Sequence, residues 1–259
     1  MLLFVFTFMN TKEVIPPSIQ LEKPSLKEDL KGITGQTMIF LILNFLYFGL
    51  FVIRNTTVIY YFTYNLGRTD WLTFVGLFGI LSGLPMLLLL PWLQKKMPKK
   101  NVLLLSTAIY IVGDLLIYFS KSSAFLIIAG LAITGLGIYG IFGTIFAIQP
   151  DVIDYSEYKK KRSISGLIAA FQGFFVKGSM GLASAFIGLL LSMGGYVPNA
   201  TQTATALQYI EISFIWAPLI ICILIAISIW FYKLDSIRGE MSKELEQRRS
   251  VADQSVVNL

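Results

Sequence analysis

The chain has 259 residues, 55% of them hydrophobic and 14% charged, with a mean hydropathy of +0.70, values that exclude an ordinary soluble domain and fit one polytopic membrane domain. The net charge of +6 comes from 21 lysines and arginines against 15 acids; the basic residues cluster in short segments beside apolar ones, so membrane topology accounts for the charge and nucleic-acid binding is rejected. With no histidine and one cysteine, Cys222, there is no basis for a disulfide framework, a cysteine metal site or any cofactor, and proton or cation chemistry falls to carboxylates, tyrosines and lysine.

Residues 1–9 form an apolar run too short to span a bilayer and too poor in basic residues for a signal peptide; they read as the remnant of a preceding transmembrane helix. Residues 10–33 read as a cytoplasmic linker, with Pro16, Pro17 and Pro24 as breakers and Ser25 with Glu28 as a capping box. Six apolar segments follow, at 32–53, 71–93, 101–120, 122–148, 163–193 and 212–232. They predict an all-α membrane protein, a six-helix bundle over 34–232 with a cytoplasmic tail over 233–259. An even number of spans puts both ends on one side. Segments 10–31, 94–100 and 149–162 carry four basic residues each and the tail five, whereas 65–70 and the turn near Ser120 carry one each and 194–208 none. That bias predicts a multi-pass cell-membrane protein with both ends in the cytoplasm.

The first span is able to run on through 56–66, which is uncharged and helix-compatible, giving a tilted or kinked helix of about 30 residues. Arg54 then lies in its outer half, as a snorkelling residue, a cavity residue or a partner for Asp114. Asp114 is the acid well inside a span and must be protonated or paired. Pro85 and Pro91 are placed to kink the second span, and Gly135, Gly137, Gly140 and Gly143 in the fourth permit close helix contact. Glu211 falls at the outer start of the last span.

The segment 149–162, QPDVIDYSEYKKKR, predicts a cytoplasmic turn in which Asp151 and Asp154 share a face if helical, with Glu157 nearby and four basic residues next. Individually weak, exchangeable ion pairs of about 0–1 kcal/mol suit an alternating-access gate; a solvated basic loop is the plain alternative. A Mg²⁺-diphosphate site of a prenyl-transfer enzyme is a third reading, and the other cytoplasmic turn, 94–100, offers no second acidic cluster for it.

Lys177 is the one charge in 163–193, about 20 Å along the helix from Ile164 and so near mid-membrane. A lone charge there is costly and is tolerated mainly against a bundle interior or aqueous cavity, which makes Lys177 a functional candidate; a lysine paired with an acid to hold the bundle together is the alternative. Helical offsets place it in a stripe with Gly166, Ala170, Gly173, Gly181, Ser184 and Gly188, a surface that admits a second helix or a polar ligand.

These residues resemble the glycoside-pentoside-hexuronide:cation symporters, the melibiose-permease-like branch of the major facilitator superfamily. The likeness runs through IRNTTVIYYFTYNLG, QPDVIDYSEY, GLIAAFQGFFVKGSMGLASAFIG and FYKLDSIRGEMSKELEQRR and covers the second half of such a transporter. The resemblance implies the C-terminal half of a twelve-helix major-facilitator fold, a sugar or glycoside substrate, Na⁺ or H⁺ as coupling cation, the lipid bilayer, and an N-terminal six-helix half as partner. It implies substrate or cation roles for Lys177, Gln172, Gly173, Phe142 and Arg54, and a cytoplasmic gate of Asp151, Asp154, Tyr155, Glu157 and Arg162. Ser163 and Ser165 depart from the family pattern, where an arginine and an acid are usual. Without the other half the chain is expected not to transport by itself. A reading of a different class is a non-transporting membrane module that oligomerises with or regulates a partner; an enzyme is not expected.

Overall fold

The computed structural model describes residues 6, 9, 30, 32–120, 123–160 and 164–257. The expected helix remnant of 1–9 and linker of 10–33 lie almost wholly outside the described residues.

Among the described residues six helices are long and apolar enough to cross a membrane and there is no strand. Helix α1, Gly35–Tyr60, starts at a capping box in which Thr34 and Thr37 exchange side-chain and backbone hydrogen bonds, and it runs on through a π-helical turn, Tyr61–Asn65. The long first span expected from the sequence is therefore formed. Helix α2 is Leu72–Lys96 and α3 is Lys99–Phe119. Helix α4, Ala124–Lys160, continues past Pro150. This corrects the reading of 149–162 as a turn: Pro150 removes one ladder bond but side-chain contacts hold the chain beyond it helical, so the acidic face is an extension of a membrane helix. Helix α5 is Ser165–Met193. Helix α6 comprises Ala204–Glu211, a π segment Ile212–Trp216 and Ala217–Trp230, and α7 is Leu234–Val257. Thr203 caps α6 through Ala206 N–H, so the last span begins earlier than expected and Glu211 lies inside the helix, not at its start.

Helix α4 sits at the centre of one side, against α2, α3, α1 and the tail, while α1 contacts α5 and α6 on the other. Glycines allow the α3–α4 approach. A Cβ on Gly137 would lie 2.6 Å from the Cα, Cβ and N atoms of Tyr110, and one on Gly113 would lie 2.6 Å from Thr134 N. Gly135 and Gly143 face Ser82 and Leu90 of α2 in the same way, so the glycine run of α4 serves two neighbours. Among the described residues three apolar clusters form, a small one of Met86, Leu90, Leu93 and Val102 between α2 and α3 and two larger ones. One joins Phe40, Tyr47, Leu103, Tyr110 and Ile145 to Tyr232 and Leu234, tying the tail to the helices; the other joins Ile53, Phe62 and Ile117 to Ile210 and Phe214. Leu234, Met241 and Leu245 are buried, so one face of α7 packs against the bundle end.

Replacing Gly137 with alanine should force α3 and α4 apart or displace Tyr110, lowering stability by about 1–3 kcal/mol. Gly181→Ala, where an added Cβ has open space, should leave the melting midpoint of the detergent-solubilised chain unchanged or slightly raised.

Candidate functional site

The buried charges lie at two levels, both involving α3. At the upper level Arg54 of α1 donates from Nη1 to Asp114 Oδ1 of α3 at 2.6 Å and to the carbonyl of Phe214 at 3.0 Å. That carbonyl is available for a sequence reason. Pro218, four residues later, has no N–H to give it, and the π segment around Phe214 has already displaced the helical ladder. The guanidinium also stands over the Phe214 ring, 3.9 Å from its centroid. Both charges are buried, Asp114 completely. Asp114 is thus placed as the buried charge anticipated, and Arg54 as its partner. The Arg54 side chain is buried inside the bundle, apart from the surface that carries Lys177.

At the lower level Asp151 of α4, just after Pro150, is buried beside the Lys99 ammonium at 2.6 Å. Lys99 Nζ also donates to the carbonyl of Ala147, one turn earlier on α4. The tail completes the cluster: Tyr232 Oη donates to Asp151 Oδ2 at 3.3 Å and Arg238 Nε lies 3.4 Å from Oδ1. Burial, and after it the neighbouring carboxylate, pushes the Tyr232 phenol far up, so it remains a donor. Lys100 joins from the same turn, its N–H bonded to Asp235 at 2.9 Å and its ammonium to the carbonyl of Trp230 at 2.9 Å. Asp154, Tyr155 and Glu157 are half-buried on the following turns of α4; Arg162 lies outside the described residues. Sequence reasoning missed Lys99, which looked like one more charge of a basic loop. Its signal was a lysine at the first position of an apolar helix, directly after Pro98.

Gln172 of α5 lies in a chain of amides between helices. Gln149 Nε2 donates to Gln172 Oε1 at 2.9 Å, Gln172 Nε2 donates to Asn44 Oδ1 at 3.1 Å, and Asn44 Nδ2 donates to the Phe40 carbonyl at 2.9 Å. Helices α4, α5 and α1 are thereby linked by polar contacts in apolar surroundings. Neither Asn44 nor Gln149 was singled out from the sequence, although both are lone amides in otherwise apolar runs. Phe142 is half-buried in an aromatic row, its ring 5.6 Å from Tyr47 and 4.6 Å from Phe146.

Lys177 follows Gln172 by five residues and is exposed. The opposite face of α5 is filled: the Ser179 hydroxyl donates to the Phe45 carbonyl, Gly49 leaves room for it, and Ala183 and Ile187 are buried. The face with Lys177 is not. Added Cβ atoms at Gly166, Gly173, Gly181 and Gly188 meet nothing within 4 Å. Among the described residues no carboxylate lies within ion-pair distance of Lys177. The structure thus brings Gln172, Gly173 and Lys177 together on α5, and keeps Phe142, the Arg54–Asp114 pair and the Asp151 cluster as separate groups.

The model of the MFS/sugar transport protein family matches residues 1–236. An isoprimeverose transporter of Lactiplantibacillus pentosus is 31% identical over 255 residues, covering 96% of this chain and 53% of the relative. The uncharacterized symporter YnaJ of Bacillus subtilis (strain 168) is 34% identical over 253 residues, 96% of this chain and 55% of the relative. A glucuronide carrier protein homolog of Escherichia coli (strain K12) is 25% identical over 271 residues, 100% of this chain and 57% of the relative. The chain spans about half the length of the curated relatives it matches.

Breaking a buried pair leaves an uncompensated charge, whereas replacing both members by apolar groups is often neutral. Asp114→Ala should therefore cost about 3–5 kcal/mol, and Arg54→Met with Asp114→Leu should recover most of it. Thermal unfolding of the two variants in one detergent measures the difference; equal losses would mean that the pair is not the reason.

Proposed function

This chain belongs to the MFS sugar:cation symporter family, and we propose that it is the C-terminal six-helix half of a symporter that moves a glycoside, pentoside or hexuronide with Na⁺ or H⁺ by alternating access. It works together with an N-terminal six-helix half, in the cell membrane, with both ends in the cytoplasm. The observation that carries the reading is Lys177: an exposed ammonium with no ion-pair partner among the described residues, at mid-span on a helix face whose glycines have open space around them among those residues. A charge at that depth is tolerated when it borders an aqueous cavity or a partner of opposite sign. A second bundle laid on this face would supply both. The relatives, about twice as long, include a transporter of isoprimeverose and a glucuronide carrier homolog, which supports a sugar as cargo.

In this reading Lys177 and Gln172 border the sugar cavity, and the Gln149–Gln172–Asn44 chain fixes the amide so that its remaining bonding capacity faces the cavity. Sugar and cation favour the occluded state together more than either does alone, because each binds a conformation the other has already stabilised. The gate lies at the basic end, on the extension of α4 that carries Asp154, Tyr155 and Glu157, with Arg162 next in sequence. Asp151 anchors that extension from below through Lys99 and the tail.

The test is cation-driven accumulation of labelled glycosides by cells that make this chain joined to, or together with, the N-terminal half. Lys177→Ala should abolish accumulation while leaving the protein inserted at wild-type levels. Unchanged accumulation removes Lys177 from the mechanism, and recovery of the chain as a sugar-insensitive homodimer, with no second half, would replace the transport reading by that of an oligomerising module.

A further inference from the structure

We infer that the basic end carries a seat for the phosphate headgroup of an anionic phospholipid, formed where the tail meets the bundle. A cleft of about 320 Å³ opens there, lined by Gln36 at the start of α1, Tyr155, Tyr158 and Lys159 on the extension of α4, and Lys233 and Ser236 at the start of the tail. Three chain segments far apart in sequence thus build one concavity in which hydroxyl, amide and ammonium donors stand beside the apolar side chains of Leu234 and Ile237. The lining itself holds two lysines and no acid; of the carboxylates nearby, Asp151 is held by Lys99 and Arg238, Asp235 by the Lys100 amide and Glu244 by Arg248, and Asp154 and Glu157 on the α4 extension are engaged as well. Among the described residues no acid pairs with Lys159 or Lys233. The cleft is therefore cationic, and a phosphate diester matches its donors.

A lipid is favoured over a soluble anion by what borders the cleft. Gln36 Nε2 donates at 3.2 Å to the carbonyl of Phe231, and the Lys233 N–H bonds back to Gln36 Oε1 at 3.0 Å. The lining thus continues directly into Trp230 and Phe231, which end the last membrane helix 67% and 58% exposed. A headgroup in the cleft would place its acyl chains along that apolar edge, and aromatic residues of this kind mark the membrane interface. Because the first turn of the tail forms one wall, a bound lipid would also hold the tail against α4. The inference does not need the transport reading, since it concerns the chain alone.

Native mass spectrometry of the purified full chain in detergent tests it, with phosphatidylglycerol, phosphatidylcholine and glycerol phosphate as probes. Phosphatidylglycerol should be retained at least about tenfold more tightly than phosphatidylcholine. Lys159→Gln with Lys233→Gln should remove most of that preference, as should Ser236→Asp, which adds a carboxylate to the lining. Lys95→Gln with Lys96→Gln, an equal loss of charge elsewhere at the same end, should keep it. The inference fails if the control pair loses as much, if phosphatidylcholine binds equally well, or if glycerol phosphate displaces the lipid at equal concentration, which would make this a site for soluble anions.

Discussion

A cation taken out of water loses several kcal/mol of hydration, and only an acid together with further acceptors makes up the loss. That constraint organises the bundle. Arg54 meets Asp114 and the carbonyl of Phe214; Lys99 meets Asp151 and the carbonyl of Ala147. The Phe214 carbonyl stands four residues before Pro218, where the regular ladder has lost its donor, and the Ala147 carbonyl three residues before Pro150. Pro218 is thus one means by which α6 offers an acceptor to a buried charge. Both pairs involve α3, through Lys99 at its first position and Asp114 near its last turn, so this helix is fixed in height and rotation at two levels. Between them, glycine contacts at Gly113 and Gly137 let its backbone touch α4.

Lys177 breaks the pattern. It lies near the middle of its span, whereas Lys99 stands at the first position of its helix, and the face of α5 beside Lys177 carries glycines and open space where Arg54 and Lys99 have a carboxylate and a carbonyl. Two buried cations paired with an acid from within the chain and one exposed cation without such a partner among the described residues make the distinction between structural and functional charge a matter of partners. In the transport reading the unmet one is where work is done, because a charge already satisfied gains nothing from a ligand.

The number of membrane helices was legible from hydropathy alone, as was the continuation of the first span beyond Arg54, whereas the far end of α4 and the start of α6 were not. What sequence did not supply was adjacency. Arg54 and Asp114 stood out individually, but whether they meet depends on α1 lying against α3 at the right height, which no local pattern encodes. Lys99 was hidden by its neighbours: among Lys95, Lys96 and Lys100 it looks like positive-inside charge, and only the geometry of α3 turns it inward. The segment after Pro150 was misread as a turn because proline and charge there resemble a helix end. Its helicity depends on non-local support, Asp151 held by Lys99, Tyr232 and Arg238. The amides Asn44 and Gln149 carried a weak signal, a polar residue in an apolar run, and gained meaning only when Gln172 was found between them.

Helices α4 and α5 both carry glycines at near-helical spacing in apolar spans, and in sequence the two stripes are alike. In the fold they are opposites. The glycines of α4 divide between α2 and α3 and touch backbone or side chains on both, so their smallness is used up in packing. Those of α5 lie behind a face whose reverse side, through Ser179, Ala183 and Ile187, has already satisfied the contact with the rest of the chain. Small residues lower the distance of closest approach but do not say what approaches. That information resides in how many helix faces the bundle has available, and here α5 presents one more small-residue face than the other five membrane helices occupy.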